Sequence, residues 1–322
     1  MKRKIAIVAG GFSSEYDVSL RSAQGIYEAL DQSLYAPTII EIPHTRDKEK
    51  VADALQQLKE FDFAYITIHG TPGENGLLQG YLEMLNIPFN CCGVLPAALT
   101  FNKYACNHYL STFGVKIAKS FLLRKGEPQP TARTIANNLH MPCFIKSNVG
   151  GSSFGCSKVK TIAMVEPAIE LAFKEGDEVI CEQMLTGTEV TCGAFKTRDG
   201  ITVLPITEVV TENEFFDYDA KYNGQVQEIT PARIPDAIRD EVQALTKKIY
   251  TILGCSGIIR VDYILSIDHR IDTFPPRDYT RINLLEVNTT PGMTPTSFLP
   301  QQIRAAGLNL TDVLTEQIEQ HF

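Results

Sequence analysis

The stretch KIAIVAGGFSSEYDVSL, residues 4–20, decides the fold. Its first half is an apolar run that ends in two glycines, which predicts a buried strand followed by a turn. Its second half opens DVSLRSAQGIYEAL, whose apolar residues recur at helical spacing. A buried strand, a turn and an amphipathic helix in this order are the first part of a βαβ unit.

The same alternation continues along the chain. Strand-like APTIIEIP and FAYITIHG flank the amphipathic KVADALQQLKEF. This order predicts an α/β fold with a doubly wound parallel sheet, here in an N-terminal unit over residues 1–98. Such sheets bind ligands beyond the carboxyl ends of their strands. Glu15 and His69 both follow strand ends and therefore point to one crevice, although a helix-end charge and a loop cap would also explain them.

Two further units are expected, a central one over residues 99–186 and a C-terminal one over residues 187–322. The central unit contains the predicted helices NKYACNHYLSTFG and AMVEPAIELAF and the predicted strands KIAKSFLL, CFIKS and EVICEQML. The C-terminal unit contains the predicted strands TEVTCGAFK, ITVLPITEVV, GIIRVDYILSI and RINLLEVN, helices over residues 236–253 and 310–320, and an irregular segment over residues 211–231. A chain of 322 residues is long enough for two or three such units.

Composition excludes several classes of function. A net charge of −8 without a basic run argues against sequence-independent nucleic-acid binding. No run approaches the roughly 20 apolar residues of a membrane helix, and the apolar run at residues 5–9 is too short for a signal peptide. The eight cysteines form no C-x-x-C pair and lie mostly among apolar neighbours, which favours reduced, buried thiols in a cytoplasmic protein.

Two C-terminal strands carry candidate metal ligands. Side chains alternate along a strand, so Arg260 and Asp262 share one face, as do Glu286 and Asn288. If the strands are neighbours, one surface gathers all four side chains. Oxygen ligands of this kind suit Mg²⁺, and two ions bridged by Glu286 would be a natural arrangement, with Mn²⁺ able to substitute. A solvated sheet face with an ordinary ion pair is the alternative.

Three loops carry further candidates. The stretch GGSSFGCSKV, residues 150–159, can aim backbone N–H groups at phosphate beside Lys146, but it matches neither the P-loop nor the dinucleotide pattern and a surface turn stays open. The stretch VICEQML leads to a loop where a purine could stack and Glu189 could meet a ribose, or it is a plain linker. The stretch PGMTPTSF could stabilise an oxyanion through backbone donors, or it is a proline-rich loop.

These stretches form an ordered set. GGFSSEYDVSL, IHGTPGENGLLQG, IKSNVGGSSFGCSKV, DYDAKY, RVDYIL and LLEVNTTPGMTPTS follow one another over nearly the whole chain. The set closely resembles the D-alanine–D-alanine ligases of the ATP-grasp superfamily. The resemblance implies three domains, with ATP between the second and the third. It also implies that a D-alanine carboxylate attacks the γ-phosphate of ATP, and that the amine of a second D-alanine displaces phosphate to give the dipeptide for peptidoglycan synthesis.

The resemblance implies a role for each matching residue. In catalysis it implies Glu15 for the first D-alanine ammonium, Ser152 and Tyr222 as its partners, Lys221 as a cation, Arg260 for the tetrahedral intermediate, Gly292 as oxyanion donor, Ser297 for the second carboxylate, and His69 near the first substrate. For ATP it implies Lys103, Lys146, Ser153, Glu182, Gln183, Met184, Leu185 and Glu189. For Mg²⁺ it implies Asp262, Glu286 and Asn288. A homodimer is the family expectation.

Some features depart from the family or leave alternatives open. Gln183 and Met184 stand where the family often has lysine and a bulky aromatic residue, and Phe298 stands where an aliphatic residue is usual. Residues 211–231 are expected to form a mobile lid that excludes water from the acyl phosphate. The rival functions are an ATP-grasp ligase for another carboxylate and amine, and a non-catalytic nucleotide sensor. Glu15, Tyr222 and the stretch TPTS favour D-alanine, and the intact set of Arg260 and the metal ligands argues against the sensor.

Overall fold

The computed structural model describes residues 1–151, 155–211, 226–270 and 277–322, with only the backbone at residues 211, 226, 268–270 and 277–279. In this part of the chain, a three-stranded, a four-stranded and a seven-stranded sheet organise the molecule. The predicted α/β class is confirmed. The unit boundaries at residues 98/99 and 186/187 stay predictions.

The three-stranded sheet is the predicted doubly wound sheet. It contains β1 (Arg3–Gly10), β2 (Tyr35–Ile42) and β3 (Phe63–Ile66), all parallel, in the order β2-β1-β3. Alternate residues of β1 pack on opposite faces, which are covered by helix Tyr16–Ala29 on one side and by helices Lys48–Gln57 and Leu77–Met84 on the other. Burial on both faces explains why β1 is continuously apolar.

The four-stranded sheet is antiparallel. It contains β5 (Ser120–Arg124), β6 (Cys143–Ser147), β7 (Ser157–Val159) and β8 (Glu178–Gln183) in the order β5-β8-β6-β7. Helices Ala132–Leu139 and Val165–Ala172 share its core. The predicted single strand KIAKSFLL is wrong, because β4 (Lys116–Ile117) pairs with the larger sheet before the chain enters β5. An apolar pattern does not reveal which sheet a strand joins.

The seven-stranded sheet contains the remaining strands. They are β9 (Thr188–Thr197), β10 (Gly200–Val203), β11 (Thr207–Thr211), β12 (Val226–Ile229), β13 (Ile258–Arg270) and β14 (Arg277–Asn288). The order is β12-β11-β9-β13-β14-β4, and β10 pairs with β9. Helix Asp236–Leu253 packs on one face and helix Phe298–Ala305 on the other, followed by helix Leu310–Glu319.

Two predictions for this sheet need correction. The predicted strand ITVLPITEVV is interrupted between β10 and β11, where Pro205 has no N–H for a ladder hydrogen bond. The predicted irregular segment 211–231 ends earlier, because residues 226–229 pair with β11.

Several short elements lie between the sheets. Helices Val94–Phe101 and Lys103–Ser111 pack beside β14. All eight cysteines are free thiols, and all but Cys156 are buried, as predicted. Among the described residues, no helix combines the length and apolar character needed to cross a membrane.

Candidate active site

Two neighbouring strands build the centre of the site. The antiparallel register of β13 and β14 places Arg260 opposite Asn288 and Asp262 opposite Glu286, so the four side chains share one face as the sequence predicted. The Arg260 guanidinium forms a bidentate ion pair with the Asp262 carboxylate. Nη2 donates to Oδ2 at 2.8 Å, and Nε donates to Oδ1 at 2.9 Å. Thr191 on β9 donates a hydrogen bond of 2.6 Å to the same carboxylate. Asp262 is therefore fixed from two strands.

The oxygen atoms of this cluster fit a divalent cation. The Asn288 amide nitrogen lies 3.2 Å from Asp262 Oδ2 and 3.5 Å from Glu286 Oε1, so the three side chains converge. Turning the amide over would present its oxygen instead. No three His, Cys, Asp or Glu side chains converge on a metal position in the part of the chain described. Two carboxylates and one amide nevertheless suit Mg²⁺, which keeps waters and substrate oxygens in its shell.

Cations border the oxygen cluster. Lys103 Nζ lies 3.4 Å from Glu286 Oε2 and donates to the Gly150 carbonyl at 2.5 Å, which ties the glycine-rich loop to the cluster. Burial alone would lower the pKa of Arg260, but the carboxylates of Asp262 and Glu286 raise it overall. The guanidinium is therefore positively charged at neutral pH.

The predicted nucleotide residues lie on and after β8. Lys146 on β6 forms an ion pair with Glu182 on β8 at 2.5 Å. Burial would lower the pKa of Lys146, but Glu182 raises it well above its usual value, and Glu286 adds to the effect. Lys146 is therefore within electrostatic reach of Glu286, a predicted metal ligand. The connection from β8 into β9 lies between the two larger sheets. It carries the predicted adenine residues Gln183, Met184 and Leu185 and leads to the predicted ribose residue Glu189, and all four are half-buried.

Glu15 and His69 meet in the crevice beyond the parallel sheet. His69 Nε2 lies 3.3 Å from Ser22 Oγ, and its side chain is buried. Burial lowers the pKa of His69, against the opposing effect of Glu15, and Arg260 lowers it further. A neutral imidazole therefore lies near both charged groups. A Cβ at Gly151 would come within 2.7 Å of Glu15 Oε2, so the glycine-rich loop approaches Glu15 as closely as a backbone can.

The predicted second-substrate residues lie in the loop after β14. The Thr294 amide donates to Ser297 Oγ at 3.1 Å, and Ser297 immediately precedes helix Phe298–Ala305. The Gly292 position lies against Ser297, since a Cβ there would be 3.1 Å from its hydroxyl. The Phe298 ring centre lies 5.4 Å from the Arg260 guanidinium carbon. The loop is therefore beside the cation predicted to stabilise the tetrahedral intermediate.

Glu74 is a site residue that sequence reasoning missed. Its carboxylate accepts the Gly70 N–H at 2.7 Å. Burial and, to a smaller extent, the charge of Glu15 raise its pKa to about 8, against the opposing effects of the Gly70 N–H and Lys103. The charges of Glu15, Lys103 and Glu286 all act on Glu74, so Glu74 lies in the same candidate site as these residues. The available signal was an acidic residue in the turn directly after His69. Thr191 was also missed, although its alternation with Glu189 along β9 placed it on the same face.

Four predicted residues lie outside the described residues: Ser152, Ser153, Lys221 and Tyr222. The same holds for residues 212–225 of the predicted lid. Their roles stay predictions.

Chemically, the described residues bring three cations together with carboxylate and amide oxygen atoms. Arg260, Lys103 and Lys146 face Asp262 and Glu286. Fixed cations of this kind can bring two negative reactants together in a partly dehydrated space.

Comparisons with known proteins agree with this arrangement. The family pattern described as D-ala D-ala ligase C-terminus matches residues 110–319, and the pattern D-ala D-ala ligase N-terminus matches residues 43–92. The D-alanine--D-alanine ligase of Phocaeicola vulgatus is 54% identical over 336 aligned positions, which cover 100% of both chains.

Solved structures agree as well. The VanG D-Ala:D-Ser ligase from Enterococcus faecalis superposes with a TM-score of 0.82 at 29% identity and covers 100% of both chains. The D-alanine--D-alanine ligase from Bacillus anthracis complexed with ATP superposes with a TM-score of 0.80 at 27% identity and covers 99% of this chain and 97% of that one. The chain therefore has the ATP-grasp fold and belongs to the D-alanine–D-alanine ligase family, whose members join two D-alanines at the expense of ATP for peptidoglycan synthesis.

Proposed function

We propose that this chain joins two D-alanines in an ATP-dependent reaction that passes through an acyl phosphate, for peptidoglycan precursor synthesis. The observation that carries the proposal is the meeting of Arg260, Asp262, Glu286 and Asn288 on two paired strands, with Lys103 and Lys146 beside them. Cations and oxygen ligands from separate sheets come together there. A carboxylate and a triphosphate repel each other, and this cluster supplies the opposite charge.

In the first step, a carboxylate oxygen of the donor D-alanine attacks the γ-phosphorus of ATP, and ADP leaves. Lys103 and Lys146 reduce the repulsion between the two anions, and we assign the same role to Lys221. Asp262, Glu286 and Asn288 would hold Mg²⁺, which neutralises charge on the triphosphate oxygens when it is bound. Two such ions, replaceable by Mn²⁺, are consistent with a set of two carboxylates and an amide.

In the second step, the amine of the acceptor D-alanine attacks the acyl carbon. Negative charge develops on the carbonyl oxygen, and Arg260 with the Gly292 N–H stabilises it. Phosphate then leaves with the oxygen that came from the donor carboxylate, and the amine loses a proton as the peptide bond forms. Ser297 holds the acceptor carboxylate beside Arg260.

The donor is held from the parallel-sheet crevice. Glu15 accepts the donor ammonium, with Ser152 and Tyr222 as hydrogen-bonding partners. The neutral His69 adds no positive charge that would compete with the ammonium. The part of the predicted lid that lies between β11 and β12, residues 212–225, is proposed to cover the site and exclude water from the acyl phosphate.

The nucleotide is held between the two larger sheets. Glu182, Gln183, Met184 and Leu185 provide its adenine contacts, Glu189 faces the ribose, and Ser153 faces the phosphates. This placement follows the half-buried connection from β8 to β9. We further propose a cytoplasmic homodimer with unit boundaries at residues 98/99 and 186/187, in line with the family resemblance. Sedimentation of the purified chain tests the dimer.

A substrate panel tests the function. Phosphate release from ATP is measured with D-alanine, D-serine, D-lactate and L-alanine, each alone and each paired with D-alanine, and the products are identified by mass spectrometry. We expect phosphate release and dipeptide formation with D-alanine alone, and none with L-alanine alone. Release that does not depend on D-alanine would contradict the proposal. A different preferred pair would identify another ATP-grasp ligase, and binding without release would identify a sensor.

A further inference from the structure

Two successive glutamines fix helix Phe298–Ala305 to the seven-stranded sheet. Gln302 is fully buried; its Oε1 accepts the Gly193 N–H at 2.9 Å and its Nε2 donates to the Thr191 carbonyl at 3.0 Å. Gln301 donates from Nε2 to Glu228 on β12 and to the Thr296 carbonyl at 2.8 Å. Thr296 is the residue before Ser297. The Glu228–Gln301 pair therefore reaches the backbone of the loop that we assign to the acceptor.

Strand register places Glu228 on the catalytic face of the sheet. Glu228 lies opposite Val209, Val209 opposite Glu189, and Glu189 opposite Ile264 on β13. Ile264 alternates with Asp262, so all of these positions share the face that carries Asp262. Glu208, the neighbour of Val209, points to the opposite face, where it pairs with Arg233 at 2.8 Å.

Glu228 is also in electrostatic contact with the reaction centre. Burial raises the pKa of Glu228, and both the Gln301 hydrogen bond and the positive charge of Arg260 oppose the shift. The carboxylate is thus partly withdrawn from water and close enough to Arg260 to feel its charge. The Phe298 ring lies over the same guanidinium. Glu228, which accepts a hydrogen bond from Gln301, and the Phe298 ring therefore both lie near Arg260.

We propose that Glu228 is a positioning residue for acceptor binding: through Gln301 it fixes the 294–297 loop, and thereby sets the affinity and selectivity for the amine that attacks the acyl phosphate. Glu228 touches neither reactant in this scheme.

Because this inference rests on the proposed function, its test has one catalytic arm and one structural arm. In the catalytic arm, dipeptide formation is measured against D-alanine concentration, and D-serine competes as acceptor at saturating D-alanine. Glu228→Ala removes the acceptor of the Gln301 hydrogen bond. We expect the acceptor KM to rise about tenfold and the share of D-alanyl-D-serine to increase, while the donor and ATP KM values stay unchanged.

A conservative variant and a control define the effect. Glu228→Gln keeps an oxygen that accepts from Gln301 but removes the charge, so it should restore the acceptor KM to within about threefold of the wild type. Glu208→Ala removes a carboxylate from the next strand on the opposite face, and it should leave the acceptor KM and the product ratio unchanged. Equal product ratios in Glu228→Ala and Glu208→Ala would overturn the proposal.

The structural arm needs no turnover. Hydrogen exchange of the amides of residues 294–301 is compared in the substrate-free protein and its variants. We expect faster exchange there in Glu228→Ala than in the wild type, and no change in Glu208→Ala. Unchanged exchange in Glu228→Ala would overturn the proposal, whether or not the wild type makes the dipeptide. A wild type without dipeptide synthesis but with this exchange pattern would contradict only the proposed function.

Discussion

Two ion pairs in the molecule are built differently. Arg260 and Asp262 lie two residues apart on one strand, and Asp262 also accepts hydrogen bonds from Thr191 and Asn288. Lys146 and Glu182 come from different strands, 36 residues apart in sequence, and Lys146 is the one cation paired with Glu182 in the described part of the chain. The first cluster is held from several sides, whereas the second depends on a single contact.

The two ion pairs are therefore suited to different functions. A carboxylate held by several donors keeps its position when one partner moves, which suits a group that must hold a metal ion. A lysine held by one carboxylate can exchange that partner for a phosphate when nucleotide binds. The Arg260 cluster is thus suited to the bond-making steps, and the Lys146–Glu182 pair to binding ATP.

The largest effect should follow from removing Arg260. We expect Arg260→Ala to lower kcat by about 10²- to 10³-fold, because the developing oxyanion loses its fixed charge, while the ATP KM changes little. The protein should stay folded, since Asp262 keeps Thr191 and Asn288 as partners. Steady-state kinetics and circular dichroism measure the two quantities. A kcat within about tenfold of the wild type would place the oxyanion donor elsewhere.

The next effect concerns the metal ligands. Asp262→Asn should raise the Mg²⁺ concentration for half-maximal activity by at least about tenfold, because a neutral amide binds the ion less strongly. Thr191→Val, which removes only the hydroxyl beside Asp262, is the matched variant and should have a smaller effect. The measurement is a Mg²⁺ titration at saturating substrates, and equal half-saturation in Asp262→Asn and wild type would remove Asp262 from the ligand set.

The Lys146–Glu182 pair allows stability and nucleotide binding to be separated. Lys146→Met leaves a buried carboxylate unpaired and should lower the free energy of unfolding by about 3 kcal/mol. It should also raise the ATP KM about tenfold, because a cation beside the phosphates is lost. The double variant Lys146→Met/Glu182→Leu should regain stability but not ATP affinity. Denaturant unfolding and kinetics test both; recovery of ATP affinity in the double variant would contradict the role of Lys146.

The smallest effect is a pH dependence from His69. Its folded-state pKa is lowered by burial, so the unfolded chain binds the proton more tightly. His69 should therefore contribute a loss of stability as pH drops below about 6.5, of at most about 1.4 kcal/mol per pH unit, whereas the raised pKa of Glu74 contributes in the opposite direction. His69→Gln should remove the His69 contribution, so the variant should lose less stability than the wild type as pH is lowered. Unfolding free energies between about pH 5 and pH 7 give the comparison, and an equal slope in the variant would show that His69 does not set it.

The Arg260 cluster could be predicted from the sequence, whereas the Lys146–Glu182 pair could not. Alternation along one strand placed Arg260 with Asp262 and Glu286 with Asn288, so that face was predictable once the two strands were taken as neighbours. The partner of Lys146 was not, because Glu182 comes close only when β6 and β8 pair. The parallel sheet followed from periodicity, but short helices such as Val94–Phe101 carry too few turns to show a pattern. Glu74 enters the site through burial, which no local pattern reveals.

One isotope measurement tests the central chemical claim most directly. D-alanine labelled with ¹⁸O in both carboxylate oxygens is converted with ATP, and the released phosphate is examined by mass spectrometry. If the donor carboxylate attacks the γ-phosphorus and the amine then attacks the acyl carbon, each phosphate should carry one labelled oxygen and the peptide carbonyl should keep the other. Unlabelled phosphate, formed together with dipeptide, would contradict the acyl-phosphate route.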